Sequence, residues 1–450
     1  MSAKSIHLVR ILSDHVAAAD AMGFPPDVKE ISGRAILDLL AATIAGVDTP
    51  SALATRRAAP GLFGSGQSPV WLTSRSLSAA AALFCNSAAA CALDLDDGNR
   101  AARGHPGSCV IPTVLTLATP ETRADDLIAS IVVGYDVGVR IAAAQNPDRI
   151  KSRQSGRWAP YAAVAAAGRL LRRTPDEISR AFSIAGVLAP NQEANGSSGY
   201  SALTGNDVKE GIAWSSLLGL SALHLAMAGQ KGPMDILDHA SHYDGSRIVN
   251  RLGDHWEIVD TYFKPYGCCR YIHAALDALL EIMEREKLVH EDLRSIEVET
   301  FEWATRLANR LDPANIVDVQ YSLPYCLAVA AADGRSALCP VTGSVLARTD
   351  LADLASRVAI RIDLDLDRAF PGQTGARVIV SSSKGRFVRD GSSPLGDPAR
   401  PMSWQMLVDK FRMATGGRIS FEKQSAIIDA VLATGQGEAS GLLKELRSRR

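Results

Sequence analysis

The sequence predicts a mainly α protein in which a smaller α+β lid domain is inserted into a large all-helical domain. Three observations predict it. Apolar residues recur at three-and-four spacing from the N-terminus to about residue 260, the period shortens to strand-like alternation between residues 295 and 381, and helical spacing returns after residue 403. The helical domain is therefore assigned residues 1–265 plus 398–450 and the lid residues 266–397, with the two connections as a hinge and the cleft between the domains as the ligand site.

Ile31, Ala35, Ile36, Leu39, Leu40, Thr43 and Ile44 form the stripe of an amphipathic helix. Residues 78–92 and 125–144 continue the helical pattern, so rich in Ala, Gly and Val that neighbours must pack closely. Thr174, Pro175 and Glu177 supply a capping hydroxyl, a proline at the first helical position and a carboxylate placed to cap back, so a helix begins there. Residues 209–228 read as another, after the Gly/Ser-rich loop 195–205. Beyond the helix that contains His273, residues 295–300, 356–362 and 376–381 alternate β-branched with polar residues, as half-buried strands do. The Gly- and Pro-rich run from Gly385 to Pro401 breaks that pattern before helices at 403–413 and 422–434.

Composition narrows the function. The 450 residues are 47 % hydrophobic and 22 % charged, and 48 Lys plus Arg balance 49 Asp plus Glu, which leaves no basic field for nucleic acid or an anionic membrane. Small molecules are the expected partners. Seven cysteines without a C-x-x-C pair fit a reducing, cytoplasmic setting, and the charge-interrupted N-terminus does not read as a secretory signal. The apolar run Ala79 to Leu93 is mostly alanine and too short to span a bilayer.

Four segments gather chemistry. In LDLDDGNRAARGHPG, Asp94, Asp96 and Asp97 precede His105, with Arg100 and Arg103 between them; a carboxylate beside an imidazole can shuttle a proton, although each acid reads equally as an ion-pairing residue. Lys209 stands where a helix dipole disfavours a cation, which fits a substrate carboxylate or a solvated surface lysine. FKPYGCCRYIH brings Lys264, Arg270 and His273 together, its two adjacent cysteines reading as packing rather than as metal ligands. Tyr325 opens an apolar helix and reads as an anion donor or as a core tyrosine. The 61–66 glycine run lacks the Lys-Ser/Thr of a phosphate loop, and His239 with His242 lacks a third ligand, so no metal is assigned.

These segments, with GYDVGVRIAAA and DVQYSLPYCLAVAAADG, resemble in order and spacing the MmgE/PrpD family of dehydratases, decarboxylases and epimerases of small carboxylic acids. The resemblance covers nearly the whole chain. It implies an all-helical domain with an inserted α+β lid, a homodimer, and catalysis with no metal, iron–sulfur cluster or nucleotide cofactor. It also implies Asp94, His105, Lys209, His273 and Tyr325 as catalytic residues, with Lys264, Arg270, Arg103 and Arg153 binding substrate. Cys91, Gly98 and Arg153 stand where many members carry histidine, threonine and histidine, and arginine binds carboxylates but exchanges no proton near neutral pH. The expected activity is that of a cofactor-independent lyase, a dehydratase or decarboxylase of a small di- or tricarboxylic acid. The alternatives are an isomerase or epimerase, and an inactive binding homologue.

Overall fold

The computed structural model describes residues 6–152, 154–191 and 206–448, and it is mainly α. Two hydrophobic cores organise it. The first draws on helices from Leu8–Ala18 to Ile212–Met227 and also on Leu407, Phe411, Ile427 and Leu442 of the C-terminal helices, so the chain leaves this core and returns to it. The second is built between Tyr266 and Val380.

Local chemistry explains several helix starts. Ser78 accepts from Ala81 N at the start of Ala79–Cys91, and Thr174 and Glu177 form the reciprocal cap expected of them. Ala124–Ala144 is a longer apolar helix than the alanine run singled out from the sequence, and by length and composition it is able to cross a bilayer. Here it is a core helix. Its Asp136 and Arg140 are fully buried, paired at 3.0 Å, with the guanidinium also donating to the carbonyls of Asn250 and His255.

The second core carries a four-stranded sheet in the order Val358–Ile362, Leu293–Thr300, Ala376–Ser382, Gly385–Gly391, the first pair parallel and the others antiparallel. Val298 sits opposite both Ile360 and Val378. The last strand corrects the sequence reading, which took the run from Gly385 as broken. It is an edge strand paired through a two-residue turn at Ser383 and Lys384, and its exposed Arg386, Arg389 and Asp390 hide the apolar alternation. A second correction concerns Lys209, which lies three residues before Ile212–Met227 rather than in its first turn, separated by Glu210 and Gly211 at φ 50° and 68°. The Gly/Ser-rich loop 195–205 lies outside the described residues, as does Arg153.

The C-terminal return is fastened by charge as well as apolar contact. Lys410 Nζ lies 2.6 Å from Asp38 Oδ1 and donates to the Leu95 carbonyl at 2.8 Å, all three residues being buried. Lys410→Met leaves Asp38 buried beside Asp96 without its cation, and removal of one partner from a buried pair costs about 3–5 kcal/mol. A fall in thermal midpoint matching that loss is the expected result; an unchanged midpoint in calorimetry contradicts this placement.

Candidate active site

A cleft opens where the two cores meet. One wall comes from the loop Asp94 to His105 together with Lys209 and Glu210, the other from Tyr262, Cys269, Arg270, Tyr271, Tyr321 and the segment Phe370 to Thr374. Arg100 ties them, donating to the Gly372 carbonyl and to Asp397 Oδ2, each at 2.6 Å.

Asp94 is the centre. Its backbone holds φ 49°, and its Oδ1 lies 2.8 Å from Lys264 Nζ, 3.0 Å from Lys209 Nζ and 3.5 Å from His105 Nε2. Burial alone raises a carboxyl group, but Lys209, Lys264 and His105 outweigh it and hold Asp94 below the usual carboxylate range. Asp94 is therefore an anion that keeps cations in place, not a proton donor. Neither of its oxygens nor Lys264 Nζ has an aligned hydrogen-bond partner among the described residues, so the contacts are ionic and leave bonding capacity for a ligand.

Lys209 reaches Tyr321 Oη and sits 4.7 Å above that ring. Burial lowers its affinity for a proton, yet Asp94, Tyr321 and Glu210 more than compensate and raise it well above the ordinary lysine value. It stays charged. Glu210, whose burial is outweighed by Lys209 and His105, is held low and accepts from Ser155 N and Oγ at 3.1 and 2.7 Å. His105 Nδ1 donates to the Asp97 carbonyl at 2.7 Å, which fixes the proton on that nitrogen and turns Nε2 toward Asp94. His105 thus carries one ring nitrogen free to take a proton. Arg103, at φ 51°, lines the same wall, and its guanidinium has no ion-pair partner among the described residues.

The structure brings Asp94, His105, Lys209, Lys264, Arg103 and Arg270 to one place and corrects two sequence assignments. His273 is fully buried, and both its nitrogens are used: Nδ1 accepts from Arg270 at 3.1 Å and Nε2 donates to the Cys268 carbonyl at 3.1 Å. Burial, Arg270 and Lys264 hold it well below the usual histidine value, so it is a neutral support for Arg270. Tyr325 is buried in the second core and donates to the Val345 carbonyl at 2.5 Å, away from the cleft. Of the two tyrosines in this segment the one in the cleft is Tyr321, four residues earlier. Ser322 caps the helix Leu323–Asp333, so Tyr321 sits in the loop while Tyr325 falls inside the first turn. Sequence reading also missed Cys269, taken as packing, and Thr374, whose buried Oγ1 has no partner. Gly98 is explained by Tyr262, because a Cβ at Gly98 would meet its Oη at 2.3 Å.

Asp94, Asp96 and His105 place ligand atoms within 4.8 Å of one another, but a metal ion there would share Asp94 Oδ1 with two ammonium groups. The donor set is unsuited to a cation and suited to an anion.

Fold and cleft together define a mainly helical protein with a buried cluster of Asp94, two lysines and His105 at a cleft. Family models for the MmgE/PrpD N-terminal domain and the MmgE/PrpD C-terminal domain match residues 10–244 and 266–435, and the chain belongs to that family. It is 26 % identical to a cis-aconitate decarboxylase of Aspergillus terreus (strain NIH 2624 / FGSC A1156), over 91 % of this chain and 89 % of the relative. A cis-aconitate decarboxylase-like protein of Aspergillus oryzae is 23 % identical over 91 % of this chain and 90 % of its own length.

Behind the site, Asp97 accepts from Tyr135 Oη at 2.6 Å and from Gly107 N at 3.0 Å. Burial, with Asp38 and Asp96 nearby, still pushes its carboxyl up to about 8, and burial pushes Asp38 to about 6. Against an unfolded value of about 4, the folded chain then holds the extra protons, so their contribution is complete at acid pH and lost as pH rises through those values. Asp97→Asn is expected to flatten the fall in thermal midpoint from pH 5 to 8.5; a profile as steep as that of the parent chain contradicts the assignment.

Proposed function

We propose that this chain is a lyase for a small di- or tricarboxylic acid, working by proton transfer next to a carboxylate. One observation carries the reading: Asp94 holds two lysines and the free nitrogen of His105 around one oxygen, in a cleft to which Arg103 adds a guanidinium with no ion-pair partner among the described residues. A polyanionic acid balances that excess. Arg103 and Arg270 would bind its outer carboxylates, and Lys209 and Lys264 the carboxylate next to the reacting carbon, where negative charge develops. The decarboxylase relatives, aligned over most of their length, support the same class.

In a dehydration, His105 Nε2 takes the proton α to a carboxylate, the C–O bond breaks, and the departing hydroxyl leaves as water with a proton from Tyr321 Oη, whose O–H is free because its oxygen accepts from Lys209. In a decarboxylation, the C–C bond to the leaving carboxylate breaks, its electron pair spreads toward the retained carboxylate held by the lysines, and a proton then closes the carbon. Both need Asp94 ionised and His105 oriented. The second core, residues 266–397, would act as a lid hinged at its two connections, with Arg100 latching it shut through Asp397 and Gly372. Free cysteines at all seven positions support the cytoplasmic setting, and family membership supports a homodimer.

A panel of citrate-like, aconitate-like and amino-dicarboxylic acids, followed by mass spectrometry, tests the reading. Loss of water or CO2 from one of them is the expected result. His105→Ala should lower kcat by about 10²–10⁴-fold with the thermal midpoint nearly unchanged, Lys209→Ala should lower both kcat and the midpoint because it takes a buried partner from Asp94 and Glu210, and full activity in both variants contradicts it.

A further inference from the structure

Cys269 lies on the wall of the cleft supplied by the second core, in the company of Asp94, Lys209 and Tyr321. Its backbone N–H is fixed to the Gln320 carbonyl at 2.8 Å. Its thiol lies within electrostatic reach of Asp94, Lys264 and Lys209, and the Tyr271 backbone N–H is beside it. A buried thiol is ordinarily inert packing. Here the space it borders is built for a ligand, because Thr374 Oγ1, 3 % exposed, lines the same cleft with no partner. Since His273 has no free nitrogen and Tyr325 is elsewhere, the second wall carries no imidazole among the described residues.

We propose that Cys269 is a further proton-transfer group of this cleft, beside His105 and Tyr321, delivering its S–H proton to the substrate carbon from the wall supplied by the second core. The inference rests on the lyase reading. When CO2 has left in a decarboxylation, the carbanion takes the thiol proton: the S–H bond breaks, a C–H bond forms, and the thiolate is left in the same cluster as Lys264 and Lys209. Solvent entering the cleft as product leaves returns the proton, and no redox change occurs. Burial first, with Asp94, pushes the thiol up to about 12, so it is protonated at working pH and is a donor rather than a base.

The test uses the full-length protein on whichever acid the panel identifies, in D2O, with Cys269→Ala and the near-isosteric Cys269→Ser. Cys269→Ala is expected to lower kcat by about 10²–10⁴-fold with KM nearly unchanged and to lose the stereospecific deuterium label in residual product. Cys269→Ser, retaining a proton on a less acidic atom, should keep the label stereospecific at reduced rate. If both variants keep parent kcat and a stereospecific label while His105→Ala is dead, Cys269 has no such role and the lyase reading stands. If the parent chain turns over none of the acids, the lyase reading fails and the inference with it.

Discussion

The site depends on one buried charge. Asp94 is removed from water with two ammonium groups and an imidazole around a single oxygen, and each member makes the others tolerable. A lysine as deeply buried as Lys264 would be strongly destabilised without a carboxylate, and an isolated buried Asp94 would be neutralised by a proton. Together they form a cluster whose net charge is positive. Such a cluster attracts an anion, and because Asp94 stays ionised its titration does not change the charge of the cluster as pH varies.

The surrounding fold holds the cluster open to ligand. Asp94 is carried on a left-handed backbone position, His105 is pinned by the Asp97 carbonyl, and its own N–H is pinned by Ser155 Oγ at 3.0 Å. Ser155 in turn holds Glu210, next to Lys209. The acid–base loop and the lysine loop are thereby one hydrogen-bonded unit, although a hundred residues separate them. Beneath it, the buried carboxyl groups of Asp38, Asp96 and Asp97 crowd together, with Lys410 and Lys264 offsetting Asp38 in part, a crowding that fits a site rather than a core.

Much of this was legible in the sequence, for physical reasons. Helical spacing and the Thr174–Glu177 cap marked the elements of the first core because one buried face imposes a period. The loop from Asp94 to His105 stood out because ionisable side chains rarely cluster between apolar helices without use. Lys264 and Arg270 were found with it, as neighbours of a turn. What failed was orientation. Tyr321 and Tyr325 differ by about one helical turn, and only the position of the Ser322 cap decides which faces the cleft. His273 and Cys269 are likewise one turn apart, and chemistry alone favours the imidazole; contacts within the same turn, to Arg270 and the Cys268 carbonyl, commit its nitrogens and leave Cys269 at the wall. The edge strand Gly385–Gly391 was hidden by its charges, which guard the edge and erase its pattern.

The most direct measurement is the crystal structure of the protein soaked with a saturated tricarboxylic acid that cannot react. One carboxylate bridging Lys209 Nζ and Lys264 Nζ beside Asp94, a second on Arg103, and a carbon within reach of His105 Nε2 are the expected result. An acid bound outside the cleft, or with its carboxylates turned away from both lysines, contradicts the central claim.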